Sequence, residues 1–402
     1  MPHANAVKRQ YAVSRLPDEP KSGAVSRQRI VVDERGMIDL PFLILTILLS
    51  LIGLVMMFSA SYARAYMEEG NSSYYFVRQA GFVLGGIVIM MLVSKVNYEW
   101  LRLFSFWAMV LAVVLLVLVA IPGIGRKEGG ARRWLYLGIG FQPSEIAKAA
   151  VVIYFAALMT KFKDRMTTFR YGVVPYVAIL LLIGGLLYLE PHLSCTVIIF
   201  CTGAAMMWLG GTQKRWFALL GVGVALVVFL VIRYPALLAA YAGERITAWL
   251  DPFSDPGDSG YQITQSLYAI GSGGLLGLGL GKSRQKYLYL PEEHNDYIFS
   301  IVCEELGFVG AMVILTLFVL LIVRGYWVAM RASDRYGMLL AGGFTTLLAL
   351  QVFFNIGVVT NFLPATGISL PFFSYGGTAL LIQFAEMGVI LSVSRQNKAK
   401  LK

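Results

Sequence analysis

The sequence predicts an all-α polytopic membrane protein, with ten transmembrane helices and one long extracytoplasmic loop between the seventh and the eighth. Three observations carry this. Of 402 residues, 57% are hydrophobic and only 14% are charged, where a soluble domain carries roughly 25% charged residues. The apolar residues gather in repeated runs of about 20, the length that crosses a hydrocarbon core as a helix. The runs do not alternate with period two, which excludes strands with one solvated face.

Ten apolar segments follow in order, at about 38–60, 79–96, 101–121, 143–160, 171–189, 193–210, 216–233, 297–323, 338–360 and 375–394. Residues 1–37 are polar and basic, without an apolar h-region or a small-residue cleavage site. They read as a disordered cytoplasmic tail, not a signal peptide. Residues 38–394 then form the membrane domain, and 395–402 a short C-terminal tail.

The net charge of +11 bears on topology before it bears on nucleic acid, and no nucleic-acid partner is called for. With the N-terminus inside, the cytoplasmic pieces hold 22 of the Lys and Arg residues and the outer loops 11, with Lys148 inside a helix. Short inner loops such as Lys161-Phe-Lys-Asp-Arg165 are basic, as the positive-inside rule requires. Both termini are therefore expected in the cytoplasm. The outer loop Gly123–Trp134 is basic on the side where that is disfavoured. The loop at 234–296 is too long for a connector. Its pieces around Tyr241–Leu250 and Tyr261–Ile270 read as short helices on the membrane surface, and Gly271-Ser-Gly-Gly274 and Gly277–Gly281 as turns. Asn361–Gly377 is a third Pro- and Gly-bearing outer loop.

Several chemistries are excluded. Cys195, Cys201 and Cys303 lie in apolar runs without metal-site spacing. The only histidines are His3, His192 and His294. There is no P-loop, dinucleotide fingerprint or Ser-His-Asp order. Asp251, Asp255 and Asp258 lack the Gly and the final Glu of a calcium loop. No motif demands a cofactor and no metal ligands are assigned, although a divalent cation, Mg or Mn, stays open.

The chemistry-bearing stretch is Leu290-Pro-Glu-Glu-His-Asn-Asp-Tyr-Ile-Phe299, where Asp296 opens an apolar helix. A carboxylate there caps a helix, or it serves as a general base at the water–membrane boundary, with Glu292, Glu293 and His294 crowding it. Arg132, Arg133 and Trp134 precede Gln142-Pro-Ser-Glu-Ile-Ala-Lys148, which puts Glu145 and Lys148 on one helix face. The pair is either self-neutralising, or Lys148 joins the two arginines on an anionic diphosphate. Trp134 is an interfacial anchor or a platform for a sugar ring. Lys282, Arg284 and Lys286 form a basic run that is either solvated or meets phosphate. Glu190, Glu304, Glu305, Asn355 and Glu386 lie in or beside apolar runs, where charges are expensive and face a bundle interior or a cavity.

Motifs over about 38–394 resemble the SEDS family (shape, elongation, division and sporulation), the FtsW/RodA group. They are Arg133-Trp134, Gln142-Pro-Ser-Glu145 with Lys148, Asp251-Pro252, Gly260-Tyr-Gln262, Gly271-Ser-Gly-Gly274, Leu290-Pro-Glu292 through Asp296, Glu304-Glu-Leu-Gly307, Asn355-Ile-Gly357 and Pro364–Pro371 with Ser374-Tyr-Gly-Gly377. Gly281–Lys286 looks more like the division and sporulation branch. The resemblance implies a peptidoglycan glycosyltransferase of the cytoplasmic membrane at the division septum. Such an enzyme polymerises lipid II on the outer face with a class B penicillin-binding protein transpeptidase and other divisome membrane proteins. It implies Asp296 as the essential aspartate, and Trp134, Glu145 and Lys148 as the family's loop tryptophan and fourth-helix pair. With Arg132, Arg133, Lys282, Arg284, Lys286, Glu292 and His294 these make the expected substrate-binding set. A lipid II flippase and a non-catalytic divisome scaffold are the rival readings. The chain departs from the family at Asn295, usually Thr, and at Glu190-Pro-His-Leu-Ser194, where the family reads Pro-Asp-Leu-Gly.

Overall fold

The protein is described here by a computed structural model, covering residues 36–128, 131–136, 140–190, 192–233, 246–255, 257 and 260–397, with the side chains of 127, 128, 131, 223–232 and 397 excepted. The N-terminal tail, residues 234–245 and the last five residues lie outside the described residues, as does any helix at 241–245.

Each apolar segment coincides with a helix. These are α1 (Leu40–Glu69), α2 (Tyr74–Val93), α3 (Glu99–Ala120), α4 (Pro143–Lys161), α5 and α6 (Phe169–Gly172 and Val174–Leu189), α7 (Leu193–Leu209) and α8 (Lys214–Arg233). After α9 (Tyr261–Gly273), within the long loop, come α10 (Ile298–Met330), α11 (Arg335–Val359) and α12 (Gly377–Asn397). Among the described residues, eight spans are long and apolar enough to cross a membrane, and Leu193–Leu209 is a shorter apolar helix. The chain is a multi-pass membrane protein. Several helices outrun their apolar segments: α1 continues to Glu69 and α10 to Met330.

Local chemistry sets the ends. Asp39 caps α1 by accepting from the Phe42 amide at 3.1 Å, and Gly70 ends the helix in the left-handed region, where the missing Cβ removes the steric cost. The same Asp39 carboxylate receives Arg324 of α10 through two bonds of 2.8 Å, tying the start of α1 to α10.

Burial ranks the helices. In α11, 72% of the spanning window is inside the protein, against 22% in α2 and 28% in α3. So α11 runs through the centre, and α2 and α3 are peripheral. Small residues such as Gly342, Gly343, Thr345 and Thr346 let neighbours approach α11 closely.

One expectation is corrected. The fold is not all-α, because the basic loop after α3 is a small antiparallel sheet of β1 (Arg126–Glu128), β2 (Ala131–Tyr136) and β3 (Gly140–Phe141), in the order β1-β2-β3. Arg126 pairs with Trp134, and Leu135 with Phe141. Trp134 and Tyr136 alternate with Arg133 and Leu135, a strand signal confined to four residues and far shorter than an apolar run of membrane length.

Inside α10, Gly307 departs from helical geometry at φ 67°, ψ −171°. The long loop repairs the break. The amides of Leu278 and Gly279 donate to the carbonyls of Glu304 and Glu305 at 2.9 and 3.0 Å, and those of Phe308 and Val309 donate to Gly274 and Leu275 at 2.9 and 3.1 Å. Backbone lies on backbone here. A Cβ on Gly277 would stand 2.1 Å from the Glu305 carbonyl oxygen, and one on Gly307 2.2 Å from the Gly277 nitrogen. The expected Gly-rich turns are thus a splice into a membrane helix.

Candidate functional site

The segment 290–297 is non-helical and runs into α10. The helix N-cap is Tyr297, with no side-chain cap, so Asp296 lies one residue ahead of the capping position that the sequence suggested. It is half-buried. The backbone around it is strapped on several sides. The Pro291 carbonyl accepts from Gln262 Nε2 at 3.3 Å, that of His294 from the Tyr375 amide at 2.9 Å, and that of Asn295 from Ser374 Oγ at 2.7 Å. The Asp296 carbonyl accepts from Asn355 Nδ2 at 2.7 Å. The same amide also donates to the Ile368 carbonyl at 2.6 Å, so Asn355 of α11 joins both loops. Gly367, at φ +59°, approaches the carboxylate itself, where a Cβ would be 3.1 Å from Asp296 Oδ2.

A second anchor comes from α1. Glu293 is fully buried and accepts two bonds from the Arg64 guanidinium, at 2.8 and 2.7 Å. This fork geometry makes a strong charge-assisted pair. Arg64 also reaches Glu68 at 3.4 Å, and Glu68 accepts from the Tyr75 hydroxyl at 2.6 Å. The His294 ring stacks on Tyr75 with centroids 5.1 Å apart and planes at 27°. His294 is buried, and its Nδ1 lies 3.8 Å from Glu293 Oε1, beyond hydrogen-bond reach. It supports the loop from beneath. Glu292 is exposed at φ 55° and accepts from Asn295 Nδ2 at 2.6 Å.

The basic run divides. Lys282 and Arg284 are exposed. Lys286 is buried and pairs with Glu305 at 3.0 Å, so it does not belong to a solvated run. Glu305 also accepts from Ser59 Oγ at 2.8 Å, and Glu304 accepts from the Arg284 amide at 2.9 Å and from the Ser283 hydroxyl. The two buried glutamates therefore fold the 282–286 loop back onto α10.

Arg132, Arg133 and Trp134 are half-buried on β2. Glu145 and Lys148 pair at 2.8 Å, with Lys148 buried. Glu145 borders a polar chamber with Gln351, Ser374, Tyr375, Gln383 and Glu386. Its free volume of about 30 Å³ is the room of about two waters. Through Ser374 and Tyr375 it adjoins the carbonyls of 294 and 295.

His192 caps α7. Its Nδ1 accepts from the Cys195 amide at 3.2 Å, so the proton of the neutral ring sits on Nε2. That nitrogen is 2.6 Å from Gln142 Nε2. Two donors cannot face each other, so the Gln142 amide is turned to present its oxygen. Burial first, then Arg133 and Lys148, lower the His192 pKa from 6.5 to about 3. Beside it Glu190 is buried, and neither of its oxygens accepts a hydrogen bond. Burial raises its pKa from 4.5 to about 8, against the pull of Arg133. The acid that the family places in this turn is thus replaced by a neutral imidazole beside a protonated Glu190. Among the described residues no three of His, Cys, Asp and Glu converge as metal ligands.

Arg64, Glu293, Tyr75 and Gly367 are absent from the expected substrate-binding set. Arg64 is a charge near the C-terminal end of an apolar helix, and that was its only sequence signal. Its partner is 229 residues away.

The fold and the site define a multi-pass membrane protein with a strapped carboxylate loop at one end of its helix bundle. A family model described as "Cell cycle protein", for the FtsW, RodA and SpoVE group, matches residues 39–399. The chain belongs to this family, the SEDS proteins. It is 41% identical over 362 residues to stage V sporulation protein E of Bacillus subtilis, covering 90% of this chain and 98% of that one. It is 39% identical over 357 residues to the "probable peptidoglycan glycosyltransferase FtsW" of Trichlorobacter lovleyi, covering 89% and 93%. Among solved structures it resembles a chain of a peptidoglycan synthase complex that coordinates polymerization and crosslinking, with TM-score 0.74, 27% identity and 90% and 98% covered. It also resembles the rod shape determining protein RodA of Thermus thermophilus, with TM-score 0.65, 25% identity and 89% and 97% covered.

Proposed function

We propose that this SEDS protein polymerises lipid II at the outer face of the cytoplasmic membrane, with Asp296 as general base. It is a peptidoglycan glycosyltransferase, by family and by the names of its relatives. The observation that carries the catalytic assignment is the strapping of 290–297. Four hydrogen bonds from three elements, α9, α11 and the 361–377 loop, hold the backbone of this one segment, and Asp296 is the half-buried carboxylate presented by it. Positioning of this kind is what general-base catalysis needs, and the base is worth roughly 10²–10⁴-fold.

The reaction is a single displacement. Asp296 takes the proton of the GlcNAc 4-hydroxyl of one lipid II, and that oxygen bonds to the MurNAc anomeric carbon of the growing strand. The bond from that carbon to the polyprenyl diphosphate breaks, turning an α linkage into β. The leaving diphosphate is met by Arg132 and Arg133 or by the exposed Lys282 and Arg284, and donors placed where charge develops are usually the largest catalytic contribution. Lys148 acts from its pair with Glu145. Lys286, held by Glu305, contributes by fixing the loop that carries Lys282 and Arg284, while Glu292 and Trp134 contact sugar. The chain crosses the membrane ten times with both termini in the cytoplasm, works at the division septum, and partners a class B penicillin-binding protein. The peptidoglycan synthase complex it resembles coordinates polymerization and crosslinking, which supports that partnership.

The test is incubation of lipid II with the purified chain and its transpeptidase partner, followed by analysis of glycan polymer. Asp296→Asn is expected to abolish polymer while leaving thermal stability intact. Full polymerisation by that variant would overturn the base assignment. Absence of polymer from the wild type, with lipid II transported across vesicles instead, would favour a flippase.

A further inference from the structure

Helices α3 and α4 run antiparallel and leave an open groove at the membrane face opposite Asp296. The polarity is fixed by α4. Glu145, at its start, lines the chamber beside the 294–296 loop, and Lys161 ends the helix at the other face. Arg102, near the start of α3, lies across the groove from Lys161. The groove has a volume of about 310 Å³. Its walls are Phe106, Tyr154, Ala157 and Leu158, with the Phe106 and Tyr154 rings 6.5 Å apart. The buried Ser105 hydroxyl at its floor already donates to the Arg102 carbonyl at 2.8 Å.

Its chemistry is divided in two. The mouth carries two exposed cations, Arg102 and Lys161, and neither forms an ion pair among the described residues. The nearby acids Glu99 and Asp164 are exposed and are offset by Lys163 and Arg165. Below the mouth the walls are apolar and aromatic. A soluble anion would use only the cations. A transmembrane partner helix would set apolar side chains against two unpaired charges. An amphiphile with one anionic head at the interface and hydrocarbon beneath satisfies both halves.

We propose that this groove binds one anionic glycerophospholipid, with its phosphate between Arg102 and Lys161 and an acyl chain along Phe106, Tyr154, Ala157 and Leu158. The site is separate from the strapped loop and does not depend on the polymerase reading.

The test uses the full chain in nanodiscs of equal parts phosphatidylglycerol and phosphatidylcholine, released into native mass spectrometry. The wild type is expected to retain one phosphatidylglycerol in preference to phosphatidylcholine. The double variant Arg102→Gln/Lys161→Gln is expected to bind it roughly 30-fold more weakly, from about a fivefold effect per cation. Ala157→Phe keeps both charges and fills the groove, so it too should lose the lipid. If the double variant does not fold, this variant decides. Equal retention of the two lipids by the wild type, undiminished phosphatidylglycerol on either folded variant, or displacement by soluble glycerol phosphate would each overturn the proposal.

Discussion

Gly367 sets the room available to Asp296. At φ +59° and with a Cβ position 3.1 Å from Oδ2, alanine there costs about 1–2 kcal/mol of backbone strain and pushes on the carboxylate. Gly367→Ala is expected to lower kcat for polymerisation about tenfold with little change in KM, as measured on lipid II with the partner present. Glu293 acts on the same loop from below. Glu293→Gln leaves Arg64 without its buried counter-charge, a loss on the order of 3 kcal/mol, so thermal unfolding should shift downward and the Arg64→Gln/Glu293→Gln pair should recover part of it. Asp296 was legible in the sequence, because a carboxylate at the head of an apolar helix needs explaining. The Arg64–Glu293 pair was not, since only tertiary packing joins residues 229 apart.

At the scale of elements, the positions of the membrane helices were readable because hydrophobic runs report directly on burial in lipid. The small sheet after α3 was not, because its strands are two to six residues long and their alternation is confined to a few positions. The Gly-rich run 271–281 read as turns. Its docking on the exposed amides and carbonyls at Gly307 follows from a break that no local pattern announces. Gly277→Ala forces a Cβ to 2.1 Å from the Glu305 carbonyl oxygen, where only backbone can yield. The expected result is a destabilised protein with reduced polymerisation, whereas Gly271→Ala, with open space around it, should behave as wild type in the same thermal assay.

The whole molecule carries a pH signature from the turn between α6 and α7. Glu190, raised to about 8, contributes stability that is full below pH 4.5 and is lost as pH rises through 8. His192, lowered to about 3, contributes stability that is full above pH 6.5 and is lost as pH falls through 3. Between about 4.5 and 6.5 the two slopes oppose each other. Unfolding midpoints from these groups should therefore form a plateau there and fall on both sides. Glu190→Gln should flatten the alkaline limb and His192→Asn the acid limb, as read by thermal unfolding in detergent across pH. The broken helix α10 has a mechanical consequence for the entire bundle. Its upper part, 298–306, is clipped to the 274–286 loop and carries Asp296 at its head, while its lower part holds Arg324, moored to the start of α1. The same loop bonds Glu304 and Glu305 above Gly307 and Phe308 and Val309 below it, so it acts as a splint across the fracture. The carboxylate at the head of the helix is thereby held in register with the mooring at Arg324.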